Sequence, residues 1–296
     1  MLLDKRIPLT YIFNKIKVDL LFVIVVGLVI HYFASTFSSI LPDMPLTVAA
    51  LLGTSISILL SFKMNQSYER WWEARKVWGA IVNDSRSLVL QLQSLVKDQS
   101  KVCDEISYRQ IAWSYSLGNS LRGQDALLIT KPWLSEADFN HIASHDNKPL
   151  ALLQLHVQDL KLLRDSGKVD PYSMVQIDET IVRLTASMGM AERINNTVFP
   201  VTYRLFLHFT IYLFVIVFSI ALKNIDTFYE IPLLAFVSSA FFLVEKTAYY
   251  LQDPFRNRPS DIAVTNIAQT IELNIRQLLG DREAARPVTK ETFYLM

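Results

Sequence analysis

Long apolar runs alternate along the chain with polar stretches of mixed charge. Leu20 to Leu41 contains His31 but no Asp, Glu, Lys or Arg, and Pro45 to Phe62 is uncharged throughout. Leu205 to Leu222 is likewise uncharged, with His208 near its start. Ile231 to Val244 is shorter and is flanked by Phe228, Tyr229, Tyr249 and Tyr250. A helix needs roughly 17–25 residues to cross the hydrocarbon layer, so the first three runs predict membrane spans. Interfacial aromatics extend the reach of the fourth, whose alternative is a buried helix of a soluble core.

Between the second and third runs the pattern changes to helical spacing of isolated apolar residues, as in Val89, Leu92, Val96 and in Leu152, Leu155, Leu160, Leu163. Gly167 closes one helix, Asp170 caps the next, and Pro171 takes its first position. That helix is expected to run from Asp170 to Val198 and to stop at Pro200. Thr130 to Pro149 reads as a loop, and no alternating run suggests a sheet. The predicted fold class is an all-α integral membrane protein with four transmembrane helices and a cytoplasmic helical domain. Its expected parts are residues 1–19 (N-terminal segment), 20–62 (first membrane hairpin), 63–203 (helical domain), 204–250 (second hairpin) and 251–296 (C-terminal segment).

Charge orients these parts. Lys5, Arg6, Lys15 and Lys17 precede the first span, and Lys63, Arg70, Arg75 and Lys76 follow the second. The turn Pro42–Pro45 has neither Lys nor Arg, and the stretch from Lys223 to Glu230 has Lys223 alone. The positive-inside rule therefore places both termini and the middle domain in the cytoplasm of a multi-pass protein. The polar lead before Leu20 lacks a signal-peptide cleavage pattern.

The chain is 51% hydrophobic, yet has 29 basic and 28 acidic residues, and its net charge of +1 gives no support to a nucleic-acid partner. One cysteine, Cys103, excludes an internal disulfide framework and a Cys-based metal cluster. The eight glycines do not cluster into a phosphate loop, and no serine sits in a nucleophile elbow. His141 and His145 have a spacing that can hold a metal on one helix face, but their setting reads as a solvated polar loop. No enzyme activity, cofactor or metal is expected.

The second span interleaves Ala49, Ala50, Gly53, Thr54, Ser55, Ser57 and Ser61 with Ile and Leu. Small and hydroxyl residues let membrane helices approach closely. Thr54, Ile58 and Phe62 recur at every fourth position on one helix face. On spacing alone this stripe reads as ordinary packing; around a symmetry axis it would form an apolar constriction that gates by dewetting.

The stretch from Ser61 to Gly79, SFKMNQSYERWWEARKVWG, resembles the signature of the bestrophin family. Asp253-Pro254-Phe255 resembles a second family landmark, and Glu192-Arg193 followed by Pro200 fits its bacterial branch. The resemblance covers about Lys5 to Leu279. It implies a cyclic homopentamer around one axial pore in a bacterial inner membrane. Thr54, Ile58 and Phe62 would form its neck, although the family usually has a bulky apolar residue where Thr54 stands. It also implies a cytoplasmic constriction, placed at Tyr172, for which a packed first-turn aromatic is the alternative. Calcium gating in animal members needs an acidic cluster after Pro-Phe. Here Arg256 to Asp261 offers one carboxylate beside two arginines, so that dependence does not carry over. Glu69 and Glu73 either line the inner vestibule or pair with Arg70, Arg75, Arg183 or Arg193, with pairing favoured.

The expected function is a channel for small monovalent ions. Animal members pass anions, whereas the bacterial branch includes cation-selective channels. Asp43 precedes the neck span, and Asp43, Asp226 and Glu230 face Lys223 alone in the outer turns. An acidic ring favours cations, so a cation preference is expected, with Asp43 as a simple helix cap the opposing reading. The alternatives are an anion channel of the same fold, or a membrane-anchored sensor or scaffold with a partner-binding domain.

Overall fold

The computed structural model describes residues 1, 6–36, 43–97, 101–223, 225, 227–281 and 293–295. It is all-helical: α1 is Leu9–Thr36, α2 Leu46–Leu95, α3 Lys101–Leu121, α4 Glu136–Ala143 and α5 Lys148–Asp165. They are followed by α6 Pro171–Asn196, α7 Val201–Ala221, α8 Thr227–Leu251 and α9 Val264–Leu278. Among the described residues four helices, α1, α2, α7 and α8, are long and apolar enough to cross a membrane.

Two compact units divide the chain, one of residues 4–70 and 198–252, the other of 1–3, 71–197 and 253–296. In the first, α1 packs on α7 and α8, and α7 packs on α8. Ala49, Ile56 and Leu60 of α2 join Leu207, Ile211, Phe214 and Leu234 in its apolar core. Gly53 allows α2 to lie close to its neighbours, since a Cβ there would stand 3.4 Å from the Phe214 ring.

In the second unit α3 is central, packed by α5, α6 and α9 around Trp78, Trp113, Leu117, Leu152 and Phe255. Gly118 sets the approach of α9, because a Cβ on it would lie 2.6 Å from Val264 Cγ1. Phe255 of the Asp-Pro-Phe landmark is 1% exposed in this core. Asp170 accepts from the backbone N–H of Tyr172 and Ser173, so the cap read from the sequence is the one that starts α6.

Two readings of elements need correction. The first helix begins at Leu9, ahead of the apolar run that starts near Leu20. Lys15 lies over the rings of Tyr11 and Tyr250, so the charged lead is folded helix. The second helix continues past its apolar run through Glu69 and Glu73, unbroken for 50 residues. Helix propensity carries it on, because no proline interrupts it after Pro45. The interval from Thr130 to Pro149, by contrast, is not a loop. It holds a 3-10 turn, Lys131–Trp133, and then α4, capped by Ser135 accepting from Asp138 N. Ser135-Glu-Ala-Asp138 is a local helix start that a reading by apolar periodicity passes over.

Candidate ion pathway along the second helix

The α2 segment within the first unit has two unlike faces. Ala49, Ile56, Leu60, Lys63 and Ser67 are buried. On the other side Leu51 is 70%, Ile58 53% and Phe62 64% exposed, and among the described residues no segment covers them. Thr54, Ser55, Ser57, Ser61, Asn65, Gln66 and Glu69 are exposed with them. The exposed positions of α7 from Leu205 to Ile216 differ: they are Leu205, Phe206, Phe209, Leu213 and Ile216, all apolar. A purely apolar face suits lipid, whereas one carrying hydroxyl, amide and carboxylate groups does not.

Three hydroxyls on that face bond back to their own helix. Thr54 Oγ1 donates to Ala50 O at 2.9 Å, Ser55 Oγ to Leu51 O at 2.9 Å, and Ser57 Oγ to Gly53 O at 2.8 Å. Each oxygen then turns its lone pairs outward. Beside Phe62 a groove of about 740 Å³ lies between α2 and α8, with Ser57, Phe62 and Tyr68 on one side and Ala240, Phe241 and Val244 on the other. Thr54, Ile58 and Phe62 thus share the uncovered face.

The carboxylates separate. Glu73 accepts from Arg193 Nη2 at 2.8 Å, while Arg183 pairs instead with Asp84 at 2.9 Å. Glu69 stays exposed, with the Asn65 amide 3.5 Å away. Pairing therefore accounts for Glu73 and not for Glu69. Tyr172 is 87% exposed, which removes the alternative that it packs on its neighbours.

The outer acidic ring is the expectation that the structure alters most. Asp43 lies 2.8 Å from Lys223 Nζ, and the hydrogen bond and charge of Lys223 hold its carboxyl below its usual range. Glu230 is fully buried and bonded to His31 Nδ1 at 3.0 Å. Asp226 lies outside the described residues. Asp43 is thus ionised beside a counter-cation, and Glu230 is removed from water.

A charged cluster missed by sequence reasoning lies in the same unit. Lys63 Nζ is 3.1 Å from Glu245 Oε1, with side chains 0% and 1% exposed. His208 Nε2 stands 3.2 Å from the other oxygen of Glu245, without hydrogen-bond alignment. Lys246 pairs with Asp19 at 3.3 Å. Opposite charges ending the second and fourth apolar runs were the available signal. Among the described residues no group of three or more His, Cys, Asp or Glu is placed to hold a metal; the His141 and His145 rings lie 4.7 Å apart, and His145 Nδ1 is 2.9 Å from the His141 backbone oxygen.

Comparison with known proteins identifies the assembly of elements. The family described as Bacterial/Fungal Bestrophin protein matches residues 7–277. The chain belongs to the bestrophin family. A bacterial bestrophin homolog from Klebsiella pneumoniae has the same fold, with a TM-score of 0.84 at 26% identity, covering 90% of this chain and 99% of that one. A voltage-dependent anion channel-forming protein of Escherichia coli (strain K12) is 28% identical over 246 residues, 83% of this chain and 80% of its own length. Another protein so named, from Mesorhizobium japonicum, is 29% identical over 250 residues, 84% of this chain and 80% of its own. This bestrophin therefore falls in a family of membrane channels whose curated relatives are named for passing anions.

Proposed function

We propose that this bestrophin is one subunit of a closed ring, a homopentamer, that conducts small monovalent ions along the uncovered face of α2. The observation that carries the reading is that face: apolar residues interleaved with hydroxyl, amide and carboxylate groups that suit neither lipid nor a monomer's surface. Four spans, with both termini and the helical unit on the cytoplasmic side of an inner membrane, follow from the charge distribution. Thr54, Ile58 and Phe62 form the neck, Tyr172 the cytoplasmic constriction, and Glu69 lines the inner vestibule. A ring of Ile58 and Phe62 is uncharged and gates by wetting rather than by charge.

For the permeant ion, the names of the curated relatives support anions, and Lys223 sets a positive charge beside the Asp43 on which a cation preference rested. Anion conduction is therefore the leading reading. One observation favours cations: the Thr54, Ser55 and Ser57 hydroxyls give their hydrogens to the helix and present acceptors to the pathway. Native mass spectrometry and ion flux into liposomes test the proposal together. A pentamer mass with flux supports it; a monomer or dimer, or sealed liposomes, overturns it. Reversal potentials in a sodium chloride gradient assign the sign, toward the chloride equilibrium potential on the anion reading.

A further inference from the structure

Phe62 is 64% exposed and no described residue covers it, so its position depends on the backbone of the α2 turn from Leu59 to Lys63. Two side chains from other helices grip that turn. Tyr203, on α7, donates its hydroxyl to Leu59 O at 2.8 Å. In an α-helix that carbonyl is also the acceptor for the backbone N–H four residues on, which is that of Lys63. Glu245, on α8, holds the Lys63 ammonium at 3.1 Å with both groups buried. We infer that Tyr203 and the Lys63–Glu245 pair are positioning residues that fix the Phe62 turn of the neck. This rests on the neck reading proposed above.

Physical chemistry favours this over a purely stabilising role. A buried ion pair contributes little beyond what well-packed apolar residues would, but it is directional, and breaking one side leaves an uncompensated charge. Ionisable groups among apolar membrane helices are costly and mark functional positions. The consecutive residues Glu245 and Lys246 pair in different directions, to Lys63 on α2 and to Asp19 on α1. Two helices are thereby registered against a single turn of α8. His208 beside the second Glu245 oxygen and Tyr212, whose hydroxyl is 3.4 Å from Asp19, complete the polar groups around it.

The test uses the full-length protein in liposomes with a size series of monovalent anions and cations. Tyr203→Phe removes one grip and leaves the ring in place. Lys63→Met combined with Glu245→Leu removes the pair without orphaning a charge, and Lys63→Arg keeps it. Tyr203→Phe and the double variant should assemble and move the size limit for permeation, with flux changed several-fold, whereas Lys63→Arg restores a limit near that of the unchanged protein. An unchanged limit and flux in assembled Tyr203→Phe overturns the inference, whether or not the double variant assembles. Labelling of Ser61→Cys by a membrane-impermeant maleimide reads the same turn without flux. Its rate should rise several-fold when Tyr203→Phe is added, and an unchanged rate overturns the inference. If the unchanged protein passes no ions, the channel reading fails, and the labelling rate still decides the grip.

Discussion

Acid should destabilise the helical unit through His156. This side chain, on α5, is fully buried, with Nε2 3.1 Å from Gln110 Oε1. Gln110 Nε2 donates to Ser85 Oγ at 2.9 Å, and Ser85 Oγ donates to Ile81 O at 2.6 Å. The direction of that relay assigns the tautomer: Gln110 presents its oxygen, so the imidazole hydrogen is on Nε2. Nδ1 has no partner. Burial first, and then the charge of Arg109, hold the ring well below its usual pKa of 6.5. A second proton would put a buried cation on Nδ1 with no acceptor.

The sign follows from comparing the two states. The unfolded chain binds a proton near pH 6.5, whereas the folded chain resists it until a much lower pH. Stability is therefore full above about pH 6.5 and falls as pH drops below it, by about 1.4 kcal/mol per pH unit. His156→Gln keeps a donor toward Gln110 Oε1 and does not titrate. Urea unfolding of the full-length protein in detergent, followed at a series of pH values, should show a steeper fall for the unchanged protein than for the variant. Parallel curves would falsify the argument from burial and tautomer.

Ile58→Ala combined with Phe62→Ala should raise ion flux by lowering the cost of wetting the neck, and unchanged flux through an intact ring would show that the stripe is packing. Lys223→Gln should expose the Asp43 charge and move reversal potentials toward cations, while Asp43→Asn should move them toward anions; no shift in either places the pair outside the ion's path. Arg109, 5% exposed, joins Asp138 at 2.8 Å and Asp159 at 2.6 Å. Arg109→Met should destabilise the protein by about 3 kcal/mol, since both acids keep some contact with water, and thermal unfolding measures it. A loss under about 1 kcal/mol refutes the pairing as structural.

The four apolar helices, the Asp170 cap and the Ser61–Gly79 signature were legible because each is local. A run of apolar residues, a capping side chain and a contiguous motif all state their meaning within a few turns. What was not legible depends on partners distant in sequence. Asp43 reads as a free acid until Lys223 is brought beside it, and Glu230 as a surface acid until His31 is. Net charge counted along the outer turns thus leaves out pairings made across the fold.

Lys63 carries the same lesson further, because its position in the sequence does not announce its partner. A lysine directly after an apolar run marks where a helix leaves the membrane, and by that rule residue 63 begins the cytoplasmic region. In the structure its side chain is 0% exposed, held by a glutamate 182 residues away. Two buried opposite charges cost far less together than either alone, so the pair has to be weighed as a unit. Read as a unit, Lys63 and Glu245 end two apolar runs with opposite sign, and His208 adds a third polar group near the start of another. Three such groups at the ends of separate spans are better explained by mutual contact than by three independent exits to water. On the neck reading proposed above, the residue that follows the second apolar run then also holds the Phe62 turn in place.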